Sequence, residues 1–130
     1  MYEAVTRDIR VRVTPQYLEE ESAPDERRYL WSYSIEIANE GGEAVQLRSR
    51  HWRITDGDGR TEEVRGPGVV GQTPTIQPGT SFRYTWGCPL PTPSGIMVGS
   101  YQITTEGGQL FNVAIPAFSL DSPHARRSLN

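Results

Sequence analysis

The residues Gly66-Pro67-Gly68-Val69-Val70-Gly71 fit the G-x-G-x-x-G spacing by which glycine-rich loops hold the phosphates of dinucleotides. That chemistry needs a strand before the motif and a helix after it, because the helix N-terminus holds the pyrophosphate. Here Gln72-Thr73-Pro74 follows, with Pro78 four residues on, and no helix runs through such a stretch. A dinucleotide fold is therefore excluded. What survives is an anion nest: exposed backbone N–H groups of Gly66, Gly68 and Gly71 with Arg65 beside them. Against it stands the simpler reading of a structural loop whose glycines supply special backbone geometry.

Other residue types offer less. Asp56-Gly57-Asp58-Gly59 is a close acidic pair, but it lacks the further ligands of a calcium loop, and Asp-Gly is itself a hairpin signal. Two histidines, His51 and His124, and one cysteine cannot close a structural zinc site. Cys88 precedes Pro89 with no histidine near it in sequence and reads as an inert thiol. All 13 basic residues are arginine, so Schiff-base and phosphate-loop lysine chemistry is absent. Arg10, Arg12, Arg48, Arg50 and Arg83 occupy polar phases of strands; a solvated, ion-paired sheet face outweighs a nucleic-acid surface. No catalytic residue, metal ligand set or cofactor is assigned.

The elements that must position these residues are strands. Tyr29, Trp31, Tyr33, Ile35 and Ile37 alternate with polar neighbours, and the same period recurs at Ile9-Val11-Val13, Phe82-Tyr84-Trp86 and Phe111-Val113-Ile115. Between Val45-Leu47 and Trp52-Ile54 the apolar parity flips, which predicts a bulge near Ser49 to His51. Turn signals separate the runs at Asn39-Glu40-Gly41-Gly42, Asp56-Gly57-Asp58-Gly59, Gly66-Pro67-Gly68, Gln77-Pro78-Gly79 and Glu106-Gly107-Gly108. No uninterrupted helical spacing occurs, so any helix is short. Six to eight strands with one-sided alternation predict an all-β sandwich or barrel, and favour a two-sheet antiparallel β-sandwich.

The 130 residues make one domain able to fold without disulfide or metal. The core domain is placed at 1–118 and a partly flexible tail at 119–130; the charged run Glu19–Arg28 reads as a solvated connection. A net charge of −3 gives no broad attraction to nucleic acid or anionic lipid. The charged opening MYEAVTRDIR lacks the apolar core of a secretory signal, and no apolar run is long enough to span a bilayer, so a soluble, cytoplasmic protein is expected.

The stretch Gly66–Tyr101, GPGVVGQTPTIQPGTSFRYTWGCPLPTPSGIMVGSY, resembles the signature region of the bacterial ApaG family. Arg28-Tyr29, Leu47-Arg48-Ser49-Arg50-His51-Trp52, Pro78-Gly79, Tyr84-Thr85, Pro89-Leu90 and Thr92-Pro93-Ser94-Gly95 are similar to it as well, so the likeness spans residues 1 to about 125. It implies an immunoglobulin-like sandwich of the fibronectin type III kind. It also implies a link to cobalt resistance and magnesium efflux, a gene neighbourhood shared with a diadenosine-tetraphosphate hydrolase, and use of the domain as an interaction module in eukaryotic F-box proteins and a DNA-polymerase-interacting protein. The resemblance carries no catalytic residues; it suggests a nucleotide or pyrophosphate contact at the glycine motif and gives no role to Cys88.

The leading expectation is a non-enzymatic protein-binding or adaptor module. A binder of nucleotide or pyrophosphate at Arg65, Gly66, Gly68 and Gly71, without turnover, is second. A metal-dependent phosphohydrolase built on Asp56 and Asp58 is the weakest.

Overall fold

A computed structural model describes residues 1–125. Nine strands follow one another: β1 (Tyr2–Thr6), β2 (Ile9–Tyr17), β3 (Tyr29–Asn39), β4 (Val45–Asp56), β5 (Thr61–Pro67), β6 (Thr75–Ile76), β7 (Ser81–Leu90), β8 (Ser94–Thr105) and β9 (Leu110–Asp121). They form two antiparallel sheets, β1-β2-β3-β7 and β5-β4-β8-β9, with the short β6 also pairing β4. The architecture is the β-sandwich that the strand period predicts. The only helical element among the described residues is a 3-10 turn, Pro24–Glu26, closed by Arg27 in the left-handed region. Among the described residues no helix is long and apolar enough to cross a membrane.

The core follows from the alternation. In β3, Trp31, Tyr33, Ile35 and Ile37 are buried, while Ser32, Ser34 and Glu36 face outward. The outer face of that sheet carries an ion-pair ladder. Arg10 bonds Glu3 and, at 2.8 Å, Glu40; Arg12 meets Glu3 at 2.9 Å; Arg83 meets Glu36 at 2.7 Å. Arg48 and Arg50 belong to the other sheet, so the five arginines do not gather on one face. Exposed pairs of this kind contribute little each, but they neutralise the ladder.

Two irregularities shape the second sheet. Against β8, β4 shifts register between Leu47 and Ser49, which makes Arg48 the extra residue. The bulge thus lies just before the stretch expected from the parity flip. Its effect is to bring Arg50 into the phase of Trp52 and Ile54, the inner face. The other shift lies between Met97 and Gly99, opposite Pro116 and Ala117 of β9, where proline removes a ladder donor.

Two expectations need correcting. Phe82, Tyr84 and Trp86 read as one buried face, yet Trp86 is 58% exposed because nothing on the opposite sheet covers it. The segment expected as a tail from Ser119 begins inside β9, which runs to Asp121 and places Leu120 in the core. Beyond it, His124 lies 5.9 Å from the Tyr17 ring and 3.5 Å from Glu19. The remainder of the expected tail, residues 126–130, lies outside the described residues.

At one side the sandwich is closed by contacts between β1 and β9: the Tyr2 hydroxyl lies 2.9 Å from Ser119 Oγ, and Ala114 N–H donates to Thr6 Oγ1. At the other side stand the edge strands β7 and β5. There the sheets stay apart.

Candidate functional site

The open edge forms a groove of two adjoining cavities, about 350 and 280 Å³, which share Tyr33, Arg50, Trp52 and Trp86. Its floor is Tyr33 and Trp52, whose rings meet edge-on at 5.5 Å. Trp86 of β7 forms one wall. Pro67, Val69, Val70 and Gly71 form the opposite rim of the larger cavity, and Glu62 and Val64 of β5 flank the other.

Arg50 is the basic residue of this groove. Its Nη1 donates to the carbonyls of Pro67 (3.1 Å) and Gly68 (2.9 Å), which ties the guanidinium to the rim. Among the described residues no carboxylate lies within ion-pair distance of it, and neither Nε nor Nη2 has an acceptor. Trp52 is 3% exposed, and its Nε1 is a buried donor with no acceptor among the described residues. A buried polar hydrogen without a partner is uncommon in native folds.

Next to the arginine lies a tyrosine cluster. The hydroxyls of Tyr84 and Tyr101 are 2.6 Å apart. Burial pushes Tyr84 up to about 12, against the opposing influence of the Tyr101 hydrogen bond and of Arg50. Burial, then the neighbouring Tyr84, drives Tyr101 well above the usual tyrosine range, and burial raises Tyr33 too. Cys88, in the smaller cavity, is pushed up to about 11 by burial and by Glu62. These groups stay protonated at neutral pH, so, apart from Glu62, the groove presents hydrogen-bond donors, aromatic faces and one guanidinium.

The glycine motif has been brought to the groove, but in a form the sequence does not reveal. Val69 and Gln72 exchange both backbone hydrogen bonds at 2.8 Å, around Val70 (φ +42°) and Gly71 (φ +79°). This is a two-residue hairpin with both central residues in the left-handed region, a type I′ turn. The Gly68 amide donates to Arg48 O at 2.9 Å. The amides of Gly68, Val69 and Gln72 are thus committed to backbone carbonyls. Gly66 leaves room for Arg50, since a Cβ there would lie 3.1 Å from Nη1. Arg65 points away: it bonds Glu63 at 3.4 Å, and Glu63 also receives His51 at 3.0 Å. Those partners hold the Glu63 carboxyl below the usual carboxylate range. Of the four predicted residues, Gly71 lines the groove, Gly66 and Gly68 adjoin Arg50, and Arg65 lies outside it.

Sequence reasoning missed Arg50 and Trp86. The signal for Arg50 was present in the parity flip, because Trp52 and Ile54 cannot face inward in regular strand geometry without Arg50 doing the same. Nothing in the sequence marks Trp86 as uncovered.

Other candidate sites are satisfied internally. Asp56 Oδ1 accepts the amides of Asp58 (2.9 Å) and Arg60 (3.0 Å), as a turn aspartate does. A cavity of about 450 Å³ at the sandwich end contains Asp58 and Arg27, which face each other at 3.7 Å. Among the described residues no three His, Cys, Asp or Glu side chains converge to hold a metal ion.

Comparison with known proteins places this geometry in a family. Residues 19–105 match the family model described as the ApaG domain. The chain is 61% identical to Protein ApaG of Rhodospirillum centenum and 63% identical to Protein ApaG of Brucella anthropi, in each case over 130 residues and all of both chains. Among solved structures it is similar to a Bordetella pertussis protein given the name ApaA, with TM-score 0.87 and 49% identity over 91% of this chain and 96% of that one. A likeness to the C-terminal domain of wzt, TM-score 0.55 at 11% identity over 98% of this chain and 79% of that one, shows the fold alone. With the family model covering most of the chain and relatives matching it end to end, the chain belongs to the ApaG family.

Proposed function

We propose that this chain is a non-enzymatic binding module, a cytoplasmic adaptor whose site is the groove between β5 and β7 and whose ligand is a protein partner. The observation that carries the reading is Trp86, exposed at 58% over a concave, aromatic-lined groove that also holds an arginine without a carboxylate. Exposed tryptophan beside a free arginine is the composition of binding hot spots. The groove's candidate nucleophiles, its tyrosines and Cys88, are held protonated, and His51 faces the opposite side with Glu63, which favours binding over turnover. The association with cobalt resistance and magnesium efflux suggested by family resemblance is read as acting through that partner.

A nucleotide or pyrophosphate remains the second reading, with its centre moved from the loop amides to the free donors of Arg50. Affinity capture from native lysate separates the readings when wild type is run beside Trp86→Ala and an outer-face control, Arg83→Ala. Binding at the groove predicts proteins retained by wild type and by Arg83→Ala and lost by Trp86→Ala. Identical sets for all three baits sink the reading, and release of phosphate from ATP above a mock preparation sinks its non-enzymatic part.

A further inference from the structure

The groove adjoins an unpaired strand edge. β7 ends its sheet, so along Ser81–Leu90 the backbone groups turned away from β3 have no strand partner among the described residues. Natural edges are usually blunted by charge, proline or a covering segment. On β7, Arg83 and Pro89 do so toward the two ends, while Thr85-Trp86-Gly87-Cys88 between them is uncharged and opens beside Trp86. A strand laid along that edge would direct alternate side chains into the groove, because side chains alternate with period two. There they would meet Arg50, whose Nε and Nη2 are free, and the faces of Trp86 and Tyr33. At the far end stands Glu62, on the same inner phase of β5 as Gly66, which pairs with Arg50. Arg50, which both cavities share, and Glu62, which lines only the smaller, thus give the groove a basic and an acidic position about 13 Å apart at 3.3 Å per residue along β5.

Resting on the reading of the groove as a protein-binding site, we propose that it takes an extended peptide segment of the partner, which adds to β7 as a fifth strand. The segment places an acidic side chain on Arg50, an apolar or aromatic one against Trp86, and no second acid near Glu62. A carboxylate suits the planar guanidinium, which donates in a fork. A phosphate would satisfy Arg50 equally, but a nucleotide would leave the β7 backbone unpaired. Strand addition satisfies both, with main-chain bonds supplying affinity and alternate side chains supplying specificity.

The test begins with phage-displayed random dodecapeptides panned on the full chain, with Arg50→Gln as counter-selection. Enriched peptides should carry one acidic residue within an alternating apolar pattern. A synthetic copy should lose at least tenfold in affinity when its acid becomes the amide, when alternate backbone nitrogens are methylated, and on Arg50→Gln or Trp86→Ala, while Arg83→Gln stays within twofold. Arg50→Lys keeps the charge without the fork and should fall between wild type and Arg50→Gln, and melting curves of each variant confirm folding. No enrichment over the Arg50→Gln background, or a selected peptide indifferent to N-methylation, overturns the proposal. Pyrophosphate or ATP binding through Arg50 while no peptide binds overturns it too, but leaves the groove a binding site. If peptide, pyrophosphate and ATP all fail to bind, the groove loses both readings.

Discussion

Replacing each glycine of the 66–71 motif by alanine tests whether it is a ligand-binding loop or a piece of fold geometry, because the three positions face different obstacles. Gly71 has φ +79° and open space where a Cβ would stand, so Gly71→Ala meets only the left-handed penalty of about 1–2 kcal/mol. Gly68 has φ +59°, and its Cβ would lie 2.1 Å from Gln72 O, far inside van der Waals contact. That carbonyl accepts the Val69 amide, so moving it breaks the hairpin bond and adds about 1–3 kcal/mol, for a total of about 2–5 kcal/mol. For a chain of this length 1 kcal/mol corresponds to about 4 °C in Tm, which predicts drops of about 4–8 °C for Gly71→Ala and about 8–20 °C for Gly68→Ala. Gly66→Ala meets only the Arg50 guanidinium at 3.1 Å, the mobile end of a long side chain. It should stay within about 0.5 kcal/mol of wild type while shifting Arg50 and weakening whatever the groove binds. Thermal unfolding by circular dichroism reads all three. Equal losses at Gly68 and Gly71, or a Gly68→Ala protein that melts with wild type, would refute the hairpin geometry and return the loop to candidacy as an anion nest.

Three further outcomes follow from the same structure. Val70 is a β-branched residue held at φ +42°, a conformation that costs about 1–3 kcal/mol, so Val70→Asn should raise Tm by roughly 4 °C and reduce the apolar rim of the groove; an unchanged or lower Tm counts against strain there. Tyr84→Phe leaves the buried Tyr101 hydroxyl without its 2.6 Å partner and should cost about 1–3 kcal/mol; the double variant Tyr84→Phe/Tyr101→Phe should lose less than the sum of the singles in denaturant titrations, and strict additivity contradicts the pair. Burial raises Cys88 from 9.0 to about 11 and Tyr84 from 10.0 to about 12, so the unfolded chain releases these protons first; their stabilisation is complete below about pH 9 and is lost as pH rises through 11 to 12. Cys88→Ala should flatten the alkaline end of the pH–stability curve, and the native thiol should resist a chromogenic disulfide reagent at pH 8; rapid labelling of folded protein would contradict its burial.

Much of the framework was legible because strand period is local. The alternation from Tyr29 to Ile37 and from Ile9 to Val13 follows from which side chains must leave water, and the turn residues mark where pairing stops. The parity flip after Leu47 announced a bulge whose extra residue is Arg48. The candidate site was only half legible. Its glycines were visible as punctuation, but the loop amides of Gly68, Val69 and Gln72 could be judged free or committed only with Arg48 O, Val69 O and Gln72 O in place. Arg65 and Arg50 look equally available in sequence; strand register sends one to Glu63 on the outer face and the other to the groove.

By itself, then, the sequence determined an all-β sandwich with a glycine-rich turn and no helix to complete a dinucleotide site, since those properties depend on backbone preference and burial within a few residues. Only the tertiary structure decided that β7 and β5 become free edges on the same side, that Trp86 is left uncovered there and that Arg50 stands beneath it without a carboxylate. Those facts arise from packing between strands distant in sequence. Local periodicity assigns a side chain to a face but not the neighbour, or the gap, that the opposite sheet provides.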